Sequence, residues 1–135
     1  MTNRYILLTN NSTFAAMAGV DLEIIKGGAV DVISLAKGRI LAGCRLLHHP
    51  LYGNFTPQQQ PFRSLLLSCP KDEQGEKSDT TSYRLIETAL ERYGSHIHNL
   101  PKPEDYPDNV RNDYAYIDRM LLEEILLSCC GRVQR

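Results

Sequence analysis

The chain contains no tryptophan and only three phenylalanines among its 135 residues. A core of large aromatic plates is therefore excluded, and Leu and Ile must fill the interior. An excess of charge of one sign is missing too. Fifteen Lys and Arg face sixteen Asp and Glu, for a net charge of -1, so no broad basic field exists to gather nucleic acid or an anionic membrane. Neither partner is expected. Long hydrophobic runs are also absent. The apolar stretch from Tyr5 to Leu8 is far shorter than a secretion-signal core or a spanning helix, and a cytoplasmic location is expected. The four cysteines, Cys44, Cys69, Cys129 and Cys130, show no CxxC spacing. A reducing compartment would keep all four as thiols, acting as small buried hydrophobes rather than redox or metal groups.

What is present fits one domain covering residues 1–135, long enough to bury a core without metals or cross-links. Arg4 to Thr9 is a continuous apolar run stopped by Asn10 and Asn11, which reads as a strand buried on both faces. Ser12 is placed to cap a short helix from Thr13 to Ala18, with a second strand near Asp21 to Ile25. Asp31 is placed to cap a helix bearing Val32, Leu35, Ala36 and Ile40 on one face, ended by Gly43. Short strands are expected at Arg45 to His48 and Arg63 to Ser68. Helices are expected from about Thr80 to Tyr93, capped by Ser78 or Asp79, and from Asp113 through Leu127, with a proline-punctuated linker between them. The last helix carries Leu121, Leu122, Ile125, Leu126 and Leu127, more apolar positions than one face needs. Packing within the chain and a homodimer contact both fit this excess, packing being the commoner use.

This order of elements predicts an α/β fold: a small, mainly parallel sheet of about four strands covered by helices, a Rossmann-like three-layer arrangement. The direction of the fourth strand stays open. Ligands of such sheets sit beyond the carboxyl ends of the strands. Asn10 and Asn11 follow one strand and His48 to Pro50 another, so both loops are expected on one edge.

The segment RLLHHPLYGNFTPQQQPFRSLLLS is the most distinctive in the chain. Thr9, Asn10 and Asn11 end the first strand. Leu46 and Leu47 then lead into His49, Pro50, Leu51 and Gly53, followed by Pro57, Pro61, Arg63 and Ser64. In these features the chain resembles the protein X (GrdX) family of glycine reductase operons. His48, Asn54 and Gln58 to Gln60 depart from that pattern. The resemblance implies an accessory protein in the setting of glycine, sarcosine or betaine reductases, with a reductase component as a candidate partner. It implies a context and no reaction, and nothing in the chain resembles the reductase itself.

Chemistry concentrates in the same loop. His49 is the candidate catalytic residue, as acid or base near neutral pH, although a ring that merely fixes the turn before Pro50 is the commoner arrangement. Asn10 and Asn11 could read a ligand through their amides or simply end a strand. Gly53 and Asn54 tolerate positive φ and could present N–H groups to an anion, with Arg63 or Arg45 adding charge. The candidate ligand set is Asn10, Asn11, His49, Gly53, Asn54, Arg63 and Ser64, for a small polar or anionic molecule. An enzyme acting on a small carboxylate or phosphate and a purely protein-binding subunit are the alternatives. A zinc site from His48, His49, His96 and His98 is disfavoured because the pairs lie on unrelated elements. No metal or cofactor is expected. Lys26, Gly27 and Gly28 lack the spacing of a phosphate loop. Gln58 to Gln60 are expected as an extended, solvent-facing rim between Pro57 and Pro61.

Overall fold

A computed structural model describes residues 3–54, 59–70, 79–94 and 100–130. Strand β1 (Asn3–Thr9) is followed by β2 (Val20–Ile24), helix α1 (Ala29–Leu41), the two-residue strand β3 (Arg45–Leu46) and a 3₁₀ turn at Tyr52–Asn54. Strand β4 (Ser64–Pro70), helix α2 (Thr80–Gly94), a second 3₁₀ turn at Pro103–Asp105 and helix α3 (Asp108–Cys130) complete the order. The strands lie in the order β2-β1-β4-β3.

The two central strands explain the aliphatic composition. Ile6, Leu7 and Leu8 of β1 and Leu65, Leu66 and Leu67 of β4 have no solvent exposure. Side chains alternate across a strand, so Ile6, Leu8, Leu65 and Leu67 pack with Val32, Ile33, Ala36 and Ile40 of α1 and Ile86 and Ala89 of α2. Leu7 and Leu66 pack on the opposite face with Phe14, Leu122 and Leu126. Helices α1 and α2 thus cover one face and α3 the other, which makes three layers. On α3 the buried stripe is Ala115, Asp118, Leu122 and Leu126, while Tyr116, Met120 and Leu127 stay exposed.

The sheet is mixed, which corrects the expectation of a mainly parallel one, and the Rossmann-like reading goes no further than the layering. Among the described residues only β1 and β2 pair in parallel; β4 runs antiparallel to both β1 and β3. No helix stands among the described residues between β3 and β4, so the chain returns beside β3 in the opposite direction, as parallel neighbours would need a longer crossover.

Other expectations shift for local reasons. The short helix expected from Thr13 to Ala18 does not form, because the Asn11 side-chain oxygen accepts from the Thr13 N–H (3.1 Å) and hydroxyl (2.6 Å) and closes a turn instead. Asp31 sits one turn inside α1 rather than at its cap, and its carboxylate accepts from the Gly28 N–H at 2.8 Å. The neighbouring Gly27 has φ +128°, and a Cβ there would lie 2.3 Å from that carboxylate oxygen, so this turn requires glycine. Helix α3 starts at Asp108 rather than Asp113, its first turn closed by Arg111 N–H to the Pro107 carbonyl.

Cys44 and Cys69, expected as thiols, form a disulfide. Extending the β3–β4 register, in which Arg45 faces Ser68 and Leu46 faces Leu67, sets Cys44 opposite Cys69. Strand register is not readable from a separation of 25 residues, which is why spacing alone did not reveal the pair. Cys129 is a free thiol.

Asp79 caps α2 as expected, accepting from the Ser82 N–H (2.9 Å) and hydroxyl (2.7 Å); the alternative cap, Ser78, lies outside the described residues. The Ser82 hydroxyl also accepts from the Leu46 N–H at 2.8 Å, tying the helix to the edge strand. Asp79→Ala is expected to lower unfolding stability by about 1 kcal/mol in urea titration, with a shift of midpoint and no change of slope.

Candidate functional site

The carboxyl ends of β1 and β2 and the loop leaving β3 meet at one edge of the sheet, and a buried polar network occupies it. Thr9, the last residue of β1, pairs with Ser64, the first of β4. Hydrogen-bond directions follow from the acceptor at its centre, Asp118, which has no solvent exposure. The Tyr52 hydroxyl donates to one Asp118 oxygen at 2.5 Å; the Ser64 hydroxyl (2.7 Å) and the Asn11 amide (3.1 Å) donate to the other. With its proton committed, Ser64 Oγ accepts from the Thr9 hydroxyl at 2.6 Å, and Thr9 in turn accepts from the Asn11 backbone N–H. Tyr52 accepts from the Ser64 N–H at 2.6 Å. Burial raises the Asp118 pKa above the ordinary carboxylate value against the pull of its three donors. Burial, with the facing carboxylate, also pushes the Tyr52 phenol well above 10, so it remains a proton donor.

Arg63 is the second buried charge, fully enclosed just before β4. Its guanidinium donates to the carbonyls of Pro50 (3.2 Å) and Tyr52 (3.1 Å) and to the Tyr93 hydroxyl (3.0 Å). It also stacks 4.6 Å from the Tyr52 ring centre and 5.9 Å from that of Tyr93. Nε has no partner, alone among the buried side-chain polar atoms described. Arg63 and Asp118 form no ion pair. Tyr52 stands between them, with its ring face on the cation and its hydroxyl on the anion.

The structure brings Asn10, Asn11, Arg63 and Ser64 together. Asn10 donates both amide protons, to the carbonyls of Gly27 and Pro61, and accepts from the Arg63 N–H at 2.9 Å. Asn11 likewise spends both, on Ala115 and Asp118. His49 stands apart: its ring is exposed, and its Nδ1 accepts from the Leu51 N–H in its own turn at 3.0 Å. Gly53 adopts φ 82° in the 3₁₀ turn that positions Tyr52; Asn54 shares that turn through its backbone. Gln60 is buried rather than on the rim, donating to the Tyr114 carbonyl and accepting from Phe62 N–H. Pro57 and Gln58 lie outside the described residues, as do His96 and His98. Among the described residues no group of three or more His, Cys, Asp or Glu side chains is arranged to hold a metal ion.

Three members of this edge escaped the sequence reading. Asp118 carried a signal, being a carboxylate on the apolar stripe of α3. Tyr52 and Tyr93 carried none beyond their type. His48, set aside as a departure from the family pattern, continues the β4 ladder where β3 stops: its Nε2 accepts from the Leu66 N–H at 3.0 Å, and its Nδ1 meets the His49 carbonyl at 3.0 Å. This arrangement needs the neutral ring. Burial, with Arg63 and the second imidazole nearby, lowers its pKa to about 4.

A cleft of about 150 Å³ opens on the same edge. Its walls include the first turn of α1 (Ala29, Val30, Asp31), Gln60, Tyr93 and Lys102. Tyr93 joins it to the Arg63 enclosure, because the hydroxyl that accepts from the guanidinium belongs to a cleft-lining ring.

The fold and this edge define a three-layer α/β protein organised around a buried Arg–Tyr–Asp bridge. The family model for GrdX-like proteins matches residues 6–127, and the chain belongs to that family. No curated protein and no solved structure matches it.

Tyr52→Phe strands the Ser64 N–H and one Asp118 oxygen, and is expected to cost about 2–6 kcal/mol, each buried unpaired group accounting for about 1–3; chemical denaturation measures it. His48 gives a pH signature. The unfolded imidazole takes up its proton near 6.5, the folded one near 4. In that window the unfolded chain binds more protons, so stability falls with decreasing pH from about 6.5 to about 4, then levels off, by roughly 3 kcal/mol in all. Subtracting the profile of His48→Gln isolates this slope from the carboxylates.

Proposed function

We propose that this chain is an accessory protein of glycine, sarcosine or betaine reductase metabolism that binds a small polar or anionic molecule in the cleft beside Tyr93. The observation that carries this reading is the cleft itself, set at the carboxyl edge of the sheet, where ligands of open α/β sheets gather. Its lining includes one cationic side chain, Lys102, and one carboxylate, Asp31, with Tyr93 and Gln60 buried in its wall. Tyr93 accepts from Arg63, and a hydroxyl that accepts from a cation donates its own proton more strongly. Lys102 adds a positive charge at the rim, while Asp31 offers a carboxylate spent in part on Gly28. Such a lining suits a carboxylate on a small body, with or without an amine.

In this reading Asn10, Asn11, Arg63 and Ser64 act by positioning the edge, and Gly53 and Asn54 by holding Tyr52. His49, exposed and engaged in its own turn, favours no reaction, so binding is preferred to catalysis.

Isothermal titration with acetate, glycine, sarcosine, betaine and inorganic phosphate tests the proposal. Saturable binding of at least one is expected. Val30→Trp, which fills the cleft, should abolish it, and Lys102→Ala should weaken it several-fold, up to about 1 kcal/mol. Absence of saturable heat with every probe, or binding unaffected by Val30→Trp, overturns the reading.

A further inference from the structure

We propose that the Cys44–Cys69 disulfide is an exchangeable site, opened in the native protein by a thiol that enters the groove above it. This inference stands apart from the ligand cleft. The bond lies next to the amino end of β3, away from the buried network.

Three observations carry it. First, both sulfur-bearing residues line an open groove of about 450 Å³, together with Arg4, Glu23, Arg39, Ala42 and Pro70. That is three times the volume of the cleft beside Tyr93, with room for a peptide-sized thiol. Second, two guanidinium groups border the groove. Arg4 and Arg39 face a single carboxylate in the lining, Glu23, which holds Arg39 through two hydrogen bonds of 3.0 and 2.7 Å. Arg4 reaches Asp21 only at 3.5 Å, with both side chains half exposed. Nearby guanidinium groups stabilise a thiolate, whether attacking or leaving. Third, the bond ties down an edge strand of two residues whose ladder with β4 has two register pairs. A cross-link at such an edge can part without unfolding the central strands.

The chemistry balances with two equivalents of a low-molecular-weight thiol. An incoming thiolate attacks Sγ of Cys44, the less deeply buried residue of the pair at 6% exposure against 2%. A bond forms between the two sulfurs, the Cys44–Cys69 bond breaks, and the electron pair leaves on Cys69 as a thiolate. A second thiolate attacks the external sulfur of the mixed disulfide and releases Cys44 as a thiolate. Both protein thiolates take protons from water; the protein gains two electrons, and two small thiols become one small disulfide. The released strand leads within a few residues to His48 and Tyr52, so reduction loosens the loop that supplies the bridge between Arg63 and Asp118.

The test uses the full chain without denaturant. Protein purified with thiols trapped by N-ethylmaleimide is incubated with reduced glutathione or with neutral 2-mercaptoethanol, alkylated at intervals and peptide-mapped by mass spectrometry. Cys44 and Cys69 should become alkylated together at a rate at least roughly tenfold above global unfolding extrapolated from urea. Cys69→Ser, left unalkylated and given oxidised glutathione, should form a glutathione adduct on Cys44 with release of one reduced glutathione, and in the wild-type background Arg39→Gln should slow reduction by glutathione more than by 2-mercaptoethanol. Reduction no faster than global unfolding, recovery of both cysteines as thiols after aerobic purification, or equal slowing of the two reagents by Arg39→Gln would overturn the proposal. The wild-type rates decide the matter even where a variant fails to fold.

Discussion

Two buried charges of opposite sign, Arg63 and Asp118, are kept in one interior by a single tyrosine. An unpaired ion in a low-dielectric interior is costly, and a direct ion pair only partly offsets the loss of water. Tyr52 provides another solution, with its ring facing the guanidinium and its hydroxyl facing the carboxylate. Around that bridge the end of β1, the start of β4, the turn at Tyr52–Asn54 and the middle of α3 are fixed together. The three layers therefore register against one another through polar contacts as well as through aliphatic packing. Every donor that points at Asp118 comes from a different segment, so no segment can shift without leaving a buried group unpaired.

The edge strand β3 joins this network to the far side of the sheet. It is too short to hold itself by backbone pairing, and three different contacts compensate. Cys44 is bonded to Cys69, the Leu46 N–H is held by Ser82 of α2, and His48 supplies a ring nitrogen to Leu66 where a backbone acceptor would otherwise be needed. The last of these requires a neutral imidazole, which ties the geometry of the loop to pH. The first ties it to the oxidation state of two sulfurs.

Binding and catalysis demand different things of such an edge. A catalytic imidazole needs a partner and access to substrate together. His49 has access but spends Nδ1 on its own turn, while the groups best placed to polarise a reacting atom, Asp118 and Arg63, are sealed from solvent. What remains open is the cleft bordered by Tyr93, the buried residue whose hydroxyl accepts from Arg63.

Local patterns were enough to indicate an α/β chain with an aliphatic core, the existence of most strands and helices, the cap at Asp79, and the meeting of the Asn10–Asn11 and His-Pro loops on one sheet edge. These follow from periodicity, capping chemistry and chain direction, which act over a few residues. The resemblance to GrdX-like proteins was legible in the same loop. Long-range pairing was not. The antiparallel course of β4, the Cys44–Cys69 bond set by its register with β3, and the roles of Tyr52, Tyr93 and Asp118 depend on contacts between residues up to 107 positions apart. Spacing cannot encode such contacts, because which buried charge meets which donor is decided only when the layers close and every polar group left inside must find a partner.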